Sequence, residues 1–282
     1  MGYARTPGDP YLQINAFALS DEGRVRRSNE DSFLAANLTE RIAMDRNGIL
    51  RFSSGPKGAL FAVADGMGGA AAGEMASRLC IRVLYQRVLE LIRAHKAPQP
   101  DSLEGILVDA VGTANARVYE LGRSNEELNG MGTTLTAALE VAGHVVLGQI
   151  GDSRAYLVRE GEIGQLTRDQ SLVARMVGKG DLTEEEARYH PQRNILLQAV
   201  GVESKVEVAL RTVNLQPYDV LLLCSDGLHN QISPEEMLEI MANIQDKRDV
   251  CSTFIELANE RGGPDNITAL LIQYLTEGDN SS

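Results

Sequence analysis

The sequence predicts an α+β fold in which two antiparallel β-sheets are flanked by helices. Strand-like runs come first, followed by two helical segments, many further strand-like runs, two more helical segments and a final strand. Strands and helices therefore do not alternate, which disfavours a doubly wound parallel sheet. No internal repeat or low-complexity linker interrupts the 282 residues, which suffice for one large domain with a well-buried core. We expect a single domain.

The predicted strands are short apolar runs bounded by turn-forming residues. They cover residues 13–19, 32–36, 60–64, 134–140, 145–150, 155–158, 206–213, 220–224 and 267–274. A hairpin is predicted in the segment IAMDRNGILRF, because Asn47-Gly48 suits a two-residue turn between paired strands. The surrounding region, residues 37–58, could alternatively present a surface to a partner.

The predicted helices carry apolar side chains at a spacing that places them on one helix face. They cover residues 73–95, 103–121, 234–242 and 248–260. Residues 171–200 are short, charged and helix-like and contain HPQRN, so we interpret them as a small flap subdomain inserted in a domain of residues 11–275. The polar residues 1–10 and the tail, residues 276–282, are expected to be flexible.

Charge and composition exclude several classes of function. A formal net charge of −12 makes a general surface for nucleic acid or an anionic membrane unfavourable. The three cysteines, Cys80, Cys224 and Cys251, are widely spaced and indicate neither a zinc site nor a disulfide framework. The N-terminus lacks the apolar core of a signal peptide, and no apolar stretch approaches the length of a membrane span. We expect a cytoplasmic protein.

Acidic residues stand at the ends of several apolar strand runs, most of them beside glycines. They are Asp65 after LFAVA, Asp226 after VLLLCS, Asp152 after VVLGQIG, Asp265 before the last strand, and the pair Glu30-Asp31 before an early strand. A single Asp-Gly is a common turn signal, and acidity can also reflect a solvated surface. Several acids at strand ends are harder to explain in that way.

A cluster of these acids would need a cation. Carboxylates brought together raise each other's cost of ionisation, and a cation offsets that cost. Ligand sets made only of oxygen select hard ions such as magnesium or manganese over zinc. Two such ions can activate a water molecule and hold a phosphoryl group during in-line attack. This chemistry requires that the fold bring the acids together.

Six short segments, each weak alone, together resemble one enzyme family. VRRSNED, FAVADGMGG, GMGTT, IGDSRAYL, CSDGL and GGPDNIT occur in the order seen in metal-dependent protein phosphatases of the protein phosphatase 2C type, in the form of the bacterial branch. The resemblance extends from about Ser20 to Tyr274. It implies a four-layer αββα sandwich with metals at one end of the sheets. It also implies phosphoserine and phosphothreonine substrates, on proteins phosphorylated by a serine/threonine kinase. We expect a monomer.

The resemblance also assigns metal ligands position by position. Asp65 matches the residue that bridges two divalent cations, manganese or magnesium. Asp226 and Asp265 match residues that complete the first metal site. Glu30 and the carbonyl of Gly66 match the ligands of the second.

Further residues of the site follow from the same resemblance. Asp31 is expected close to the second metal or just behind its ligands. Asp152 matches an acid that holds a third, weaker ion, shared with Asp226. Arg26, four residues before Glu30, matches the arginine that binds the substrate phosphate, and Arg27 is the alternative. Asp65, Asp226 and Arg26 are then the catalytic residues.

One position departs from the pattern of animal relatives. Met67 stands where those relatives have a histidine that is a candidate general acid, so the proton for the leaving alcohol must come from elsewhere, such as a metal-bound water. His95 and His144 resemble ordinary surface or strand positions, and His190 in the flap is given a structural role. His229 follows CSDGL closely and could approach the site.

Three other functions fit parts of the sequence. The segment GMGGAA fits a dinucleotide-binding motif, but it would place Asp65 beside a pyrophosphate, and no later strand ends in an acid at the expected distance. A serine hydrolase at Ser153 would lack the motif G-x-S-x-G and a late histidine base, since the last histidine is His229. A catalytically weak phosphatase-like binding or regulatory module would be expected to have lost metal-ligand acids, and all of them remain.

Overall fold

The computed structural model describes residues 12–93 and 98–276. Residues 1–10 and 277–282, which were expected to be flexible, lie outside the described residues, as does His95. The strands are β1 (Gln13–Asp21), β2 (Asp31–Asn37), β3 (Ile42–Met44), β4 (Gly48–Ser53), β5 (Ala59–Met67), β6 (Gly132–Thr133), β7 (Leu135–Val141), β8 (His144–Ile150), β9 (Arg154–Arg159), β10 (Glu162–Gln165), β11 (Ala209–Asn214), β12 (Val220–Cys224) and β13 (Ile267–Leu275). The helices are α1 (Ala70–Arg93), α2 (Leu103–Ser124), α3 (Leu172–Lys179), α4 (Glu184–Tyr189), α5 (Asp226–His229), α6 (Pro234–Asn243) and α7 (Lys247–Glu260).

Two antiparallel sheets lie face to face between two layers of helices. The first sheet has the strand order β10-β9-β12-β13-β1-β4, and the second has the order β11-β8-β7-β5-β2-β3, with β6 beside β5. Helices α1 and α2 pack on the second sheet, and α6 and α7 pack on the first. A third apolar cluster fills the space between the sheets. The predicted αββα sandwich is therefore confirmed.

The sequence of β5 is continuously apolar because side chains on both of its faces are buried. Phe61 and Val63 point into the space between the sheets, whereas Leu60, Ala62 and Ala64 belong to the cluster under α1 and α2. Both faces of the strand are covered, so no polar alternation is needed. The strand runs two residues beyond Asp65, where it pairs with β6.

Strands β3 and β4 do not form the predicted hairpin. β3 pairs with β2 in the second sheet, and β4 pairs with β1 in the first. Asn47 contributes to this choice: its Oδ1 accepts from the Ser20 N–H at 2.8 Å, and its Nδ2 donates to the Ser20 carbonyl at 3.0 Å. This carboxamide extends the β1–β4 ladder. The segment therefore crosses between the sheet edges, and the predicted pairing was wrong.

Other differences are smaller. The prediction did not include β6, β10 or the short helix α5, and β11 begins three residues later than expected. Residues 171–200 contain α3 and α4, whose N-termini are capped by the side chains of Ser171 and Thr183. No helix in the described part of the chain is both long and apolar enough to cross a membrane.

Candidate active site

One end of the sandwich brings the predicted acids together. Strand ends and two loops that pass from one sheet to the other, residues 22–30 and 151–153, converge there. The acids that influence one another at this end are Glu30, Asp31, Asp65, Asp152, Asp226 and Asp265. The first sheet supplies Asp226 and Asp265, after β12 and before β13, while the second sheet supplies the pair Asp31 and Asp65, opposite each other in β2 and β5.

Asp65 is held by the segment GMGTT. Its N–H donates to Thr134 Oγ1 at 2.9 Å, and its carbonyl accepts from the Thr134 N–H and from Thr133 Oγ1, both at 2.8 Å. Thr134 Oγ1 is also hydrogen-bonded to Ser153 Oγ at 2.7 Å. These bonds fix the backbone of Asp65 and link it to the loop of residues 151–153. Ser153 thus supports the rim of the site.

Two glycines make room for Glu30. The Gly66 N–H donates to the Glu30 carbonyl at 3.2 Å. A Cβ on Gly66 would collide with the carbonyl of Gly73, and a Cβ on Gly73 would collide with Glu30 Oε2. Only glycine allows this approach of the loop to the start of α1.

Asp31 lies beneath the other acids. Its Oδ2 accepts from Ser225 Oγ at 2.7 Å and from Thr268 Oγ1 at 2.6 Å. Its Oδ1 is buried without a hydrogen-bond partner among the described residues. Burial raises the pKa of Asp31 to about 7 although both hydroxyl groups favour the charged form, and the charges of Asp226 and Asp265 add to the increase.

The pKa values of the neighbouring carboxyl groups are raised as well. Desolvation, followed by the charges of Asp31 and Asp226, raises the pKa of Asp65 well above its ordinary value. Desolvation and Asp265 raise the pKa of Asp226 to about 6, against a hydrogen bond from Asp65 that lowers it. Desolvation and Asp226 raise the pKa of Asp152 to about 8. All these shifts have one direction, because negative charge is crowded into a poorly hydrated space.

Arg26 is the cation at this cluster. Its Nη2 lies 2.6 Å from Asp265 Oδ2, and its side chain is 47% exposed. The hydrogen bond to Asp265 raises its pKa, and the charges of Glu30 and Asp65 act in the same direction. Arg27 is exposed and forms no ion pair within the described residues. The structure therefore places Arg26, and not Arg27, against the acids.

His229 lies at the site, a placement that the sequence left open. Its Nε2–H donates to the Asp152 carbonyl at 3.0 Å. Burial lowers its pKa to about 3, so the ring is neutral at ordinary pH. An ion pair between Arg154 and Asp169, 2.7 Å long, lies beside it and was not predicted. The only sequence signal for His229 was its closeness to Asp226.

The other two described histidines do not join the candidate site: His144 Nδ1 bonds Asn214 Oδ1, and His190 Nδ1 accepts from the Gln192 N–H.

Gln170 connects the flap region to the loop of residues 151–153. Its Oε1 accepts from the Gly151 N–H at 2.9 Å and from Gln198 Nε2 at 3.2 Å. Its own N–H donates to the Gly151 carbonyl at 2.9 Å. Gln170 and Gln198 are thereby joined by hydrogen bonds to Gly151, the residue before Asp152.

The donor set fits hard divalent cations. No three histidine, cysteine, aspartate or glutamate side chains of residues 12–93 and 98–276 are arranged as a metal-ligand set; Arg26 engages Asp265, and two hydroxyls engage Asp31. The acids nevertheless offer only oxygen atoms, and Oδ1 of Asp31 and of Asp226 is buried without a partner. Divalent cations would satisfy these atoms and neutralise the crowded charge.

Comparisons with known proteins decide the family. A family model described as protein phosphatase 2C matches residues 45–270. The serine/threonine phosphatase stp of Listeria innocua is 39% identical over 254 residues, which cover 90% of this chain and 93% of the relative. The chain belongs to the protein phosphatase 2C family. Another relative of this family, the serine/threonine protein phosphatase PstP of Mycobacterium tuberculosis, is 38% identical over 92% of this chain and 45% of its own length.

Solved structures agree with the protein phosphatase 2C fold. The serine/threonine phosphatase of S. agalactiae superposes with a TM-score of 0.79 at 33% identity, over 94% of this chain and 100% of that chain. The catalytic domain of PstP in complex with two manganese ions gives a TM-score of 0.76 at 36% identity, over 94% and 99%. The family, the bacterial branch, the fold class and metal-dependent phosphatase activity, all predicted from the sequence, are thus confirmed.

Proposed function

We propose that this phosphatase hydrolyses phosphoserine and phosphothreonine esters on proteins, with two divalent cations held by the acids at the end of the sandwich. Asp65 would bridge both cations, manganese or magnesium. Asp226 and Asp265 would complete one site, and Glu30 with the Gly66 carbonyl the other. The observation that supports this assignment is the convergence of acids from both sheets, with raised pKa values, beside Arg26 at the rim.

The residues divide the chemistry among them. When bound, the two cations would supply a water of lowered pKa and positive charge for the phosphoryl oxygens. Asp65 and Asp226 would fix those charges relative to the sheets, and Asp31, held by Ser225 and Thr268, would lie close behind them. The guanidinium of Arg26 can bind two phosphoryl oxygens at once. Met67 offers no proton, so the leaving alcohol takes its proton from a group other than this side chain.

The substrate class is tested with three phosphopeptides of one sequence that carry phosphoserine, phosphothreonine or phosphotyrosine. Phosphate release from the first two in the presence of manganese, and at least about ten-fold slower release from the third, is the expected result. Equal rates of phosphate release from all three peptides would contradict the proposed preference for phosphoserine and phosphothreonine. We also propose that the proteins acted upon are targets of a serine/threonine kinase.

A monomer in a reducing compartment such as the cytoplasm fits the described structure. All of the proposed ligands come from one chain, and Cys80, Cys224 and Cys251 are free and buried. Sedimentation of the active enzyme tests whether the protein is a monomer.

Arg26→Ala should mainly weaken binding of the substrate phosphate. Loss of a charge-assisted contact is worth roughly 1.5–3 kcal/mol, so KM should rise about ten- to a hundred-fold and by more than kcat falls. Steady-state kinetics on a phosphopeptide measure this split. Arg27→Ala is the matched control and should leave both constants close to those of the unaltered enzyme. A change confined to kcat, or an equal effect of Arg27→Ala, would contradict the assignment.

Asp152→Ala tests the proposed third, weaker ion. Asp152 lies beside Asp226 and is coupled to the flap through Gly151 and Gln170. We expect turnover to fall by roughly ten-fold or more, with poor rescue at high metal concentration, while the two tighter ions still bind. Turnover of protein substrates should fall at least as much as turnover of p-nitrophenyl phosphate. Calorimetry gives the number of bound ions, and Asp181→Ala, at an exposed flap position, is the control. Loss of both tight ions would place Asp152 among their ligands, and unchanged turnover would make it a turn residue.

A further inference from the structure

We infer that Asn266 is a positioning residue. It fixes the backbone of the proposed metal ligand Glu30 and of the loop that carries the proposed phosphate-binding Arg26. This inference rests on the proposed function. Asn266 follows Asp265 directly and is 3% exposed. It was not among the residues singled out from the sequence.

The Asn266 carboxamide makes three hydrogen bonds, all to one loop. Its Oδ1 accepts from the Glu30 N–H at 2.8 Å. Its Nδ2 donates to the carbonyls of Glu22 and Ser28, both at 2.9 Å. One buried side chain thus ties the start and the end of the loop of residues 22–30 to the segment that carries Asp265. An amide is the only side-chain group of this size that offers two donors and an acceptor at once.

The same carboxamide is the first part of a connection between the two sheets. The Glu30 N–H donates to Asn266 Oδ1, and the Glu30 carbonyl accepts from Ser77 Oγ at 2.6 Å and from the Gly66 N–H at 3.2 Å. Glu30 is therefore fixed between the start of β13 in the first sheet and β5 with α1 in the second. This chain of bonds runs from the residue after Asp265 to the residue after Asp65.

The loop also has attachments that do not involve Asn266. Residues 24–27 are exposed, and the Arg24 N–H donates to the Gly263 carbonyl at 2.8 Å. Gly23 has φ +80° and lies against the carbonyl of Asp265, where a Cβ would collide. These contacts hold the first half of the loop. The second half carries Arg26 towards Glu30. It is held by Asn266 at Ser28 and Glu30, by Asn29 Nδ2, which donates to Ser20 Oγ at 2.8 Å, and by the ion pair between Arg26 and Asp265.

The test is Asn266→Asp, which keeps the shape and the acceptor but removes both donors. We expect KM for a phosphopeptide to rise roughly ten-fold, because the carbonyls of Glu22 and Ser28 lose their donor and the loop loosens. Manganese binding, measured by calorimetry without substrate, should weaken by a similar factor, since Glu30 shifts as well. Asn266→Ser, whose short hydroxyl cannot reach both carbonyls, should show the same two effects and provides a second folded variant.

A double-mutant cycle separates positioning from general destabilisation. In the Arg26→Ala background, Asn266→Asp should raise KM less than about two-fold, because its effect on the substrate passes through Arg26. Asn115→Asp is the matched control: Asn115 is as deeply buried and bonds Gly201 and Glu203 in another part of the chain. It should lower the melting temperature but leave KM and manganese affinity unchanged.

The outcomes distinguish this inference from the proposed function. If Arg26→Ala raises KM but both Asn266 variants leave KM and manganese affinity unchanged, the positioning role is wrong and the proposed function stands. If the effects of Arg26→Ala and Asn266→Asp on KM are fully additive, the positioning role is likewise wrong. If Arg26→Ala itself leaves KM unchanged, the proposed phosphate-binding role fails first.

Discussion

Replacement of Asp65 by asparagine is expected to lower kcat by roughly a thousand-fold or more, since loss of about 4 kcal/mol of transition-state stabilisation corresponds to three decades in rate. A ligand shared by two cations affects both when it is altered, whereas Asp265 or Glu30 would affect one. Asparagine keeps the shape, and the backbone bonds from Thr133 and Thr134 to residue 65 do not involve the carboxyl group. The variant should therefore fold.

The metal-free stability of this variant provides a second readout. The folded-state pKa of Asp65 lies above its ordinary value, so the folded protein binds more protons and loses stability as pH rises from the unfolded to the folded pKa. Asparagine removes that cost, so the chelated variant should melt no lower than the chelated unaltered protein at neutral pH. Asp45→Asn, at an exposed position, is the control and should retain full turnover. Near-normal turnover of Asp65→Asn would show that this residue does not bridge the cations.

Removal of divalent metal should abolish activity, and excess manganese or magnesium should restore it. The cluster of acids also predicts an effect on stability, because bound cations relieve the repulsion among carboxylates that share one site. Manganese at a hundred times its dissociation constant should stabilise the protein by about 2.7 kcal/mol. For a domain of this size, that corresponds to a rise in melting temperature of roughly 5–10 °C.

The measurement is thermal unfolding and phosphate release from the same samples, with chelator and after manganese is added back. Asp65→Asn should show a smaller thermal shift than the unaltered protein, which separates binding at this site from nonspecific effects of manganese. Full activity in excess chelator would contradict a metal-dependent mechanism.

Local patterns in the sequence were sufficient to predict most strands and the acids of the site. Asp65 and Asp226 are recognisable because each directly follows a buried strand, and their convergence follows once the strands form two sheets. The hairpin at residues 42–53 failed for the opposite reason. Turn chemistry at Asn47 is local, but the partner of β4 is β1, about thirty residues earlier in the chain.

The supporting residues were missed because their contacts are distant in sequence. Asn266 bonds Glu30 across 236 positions, and Thr268 bonds Asp31 across 237. Both side chains are small, polar and next to a strand start, where a capping or turn role is the usual expectation. His229 was considered because it lies near Asp226, but its partner, the Asp152 carbonyl, could not be inferred without the fold.

The division of the acids between the two sheets has a consequence for how the protein assembles. Neither half of the sandwich contains a complete set of candidate ligands, since Asp226 and Asp265 belong to one sheet and Asp31 and Asp65 to the other. If only the second sheet formed, Glu30, Asp31 and Asp65 could already lie close together, but Asp226 and Asp265 of the proposed first site would be missing. The complete two-ion set therefore requires both sheets to be docked, so binding of both ions would stabilise the assembled sandwich against separation of its two halves.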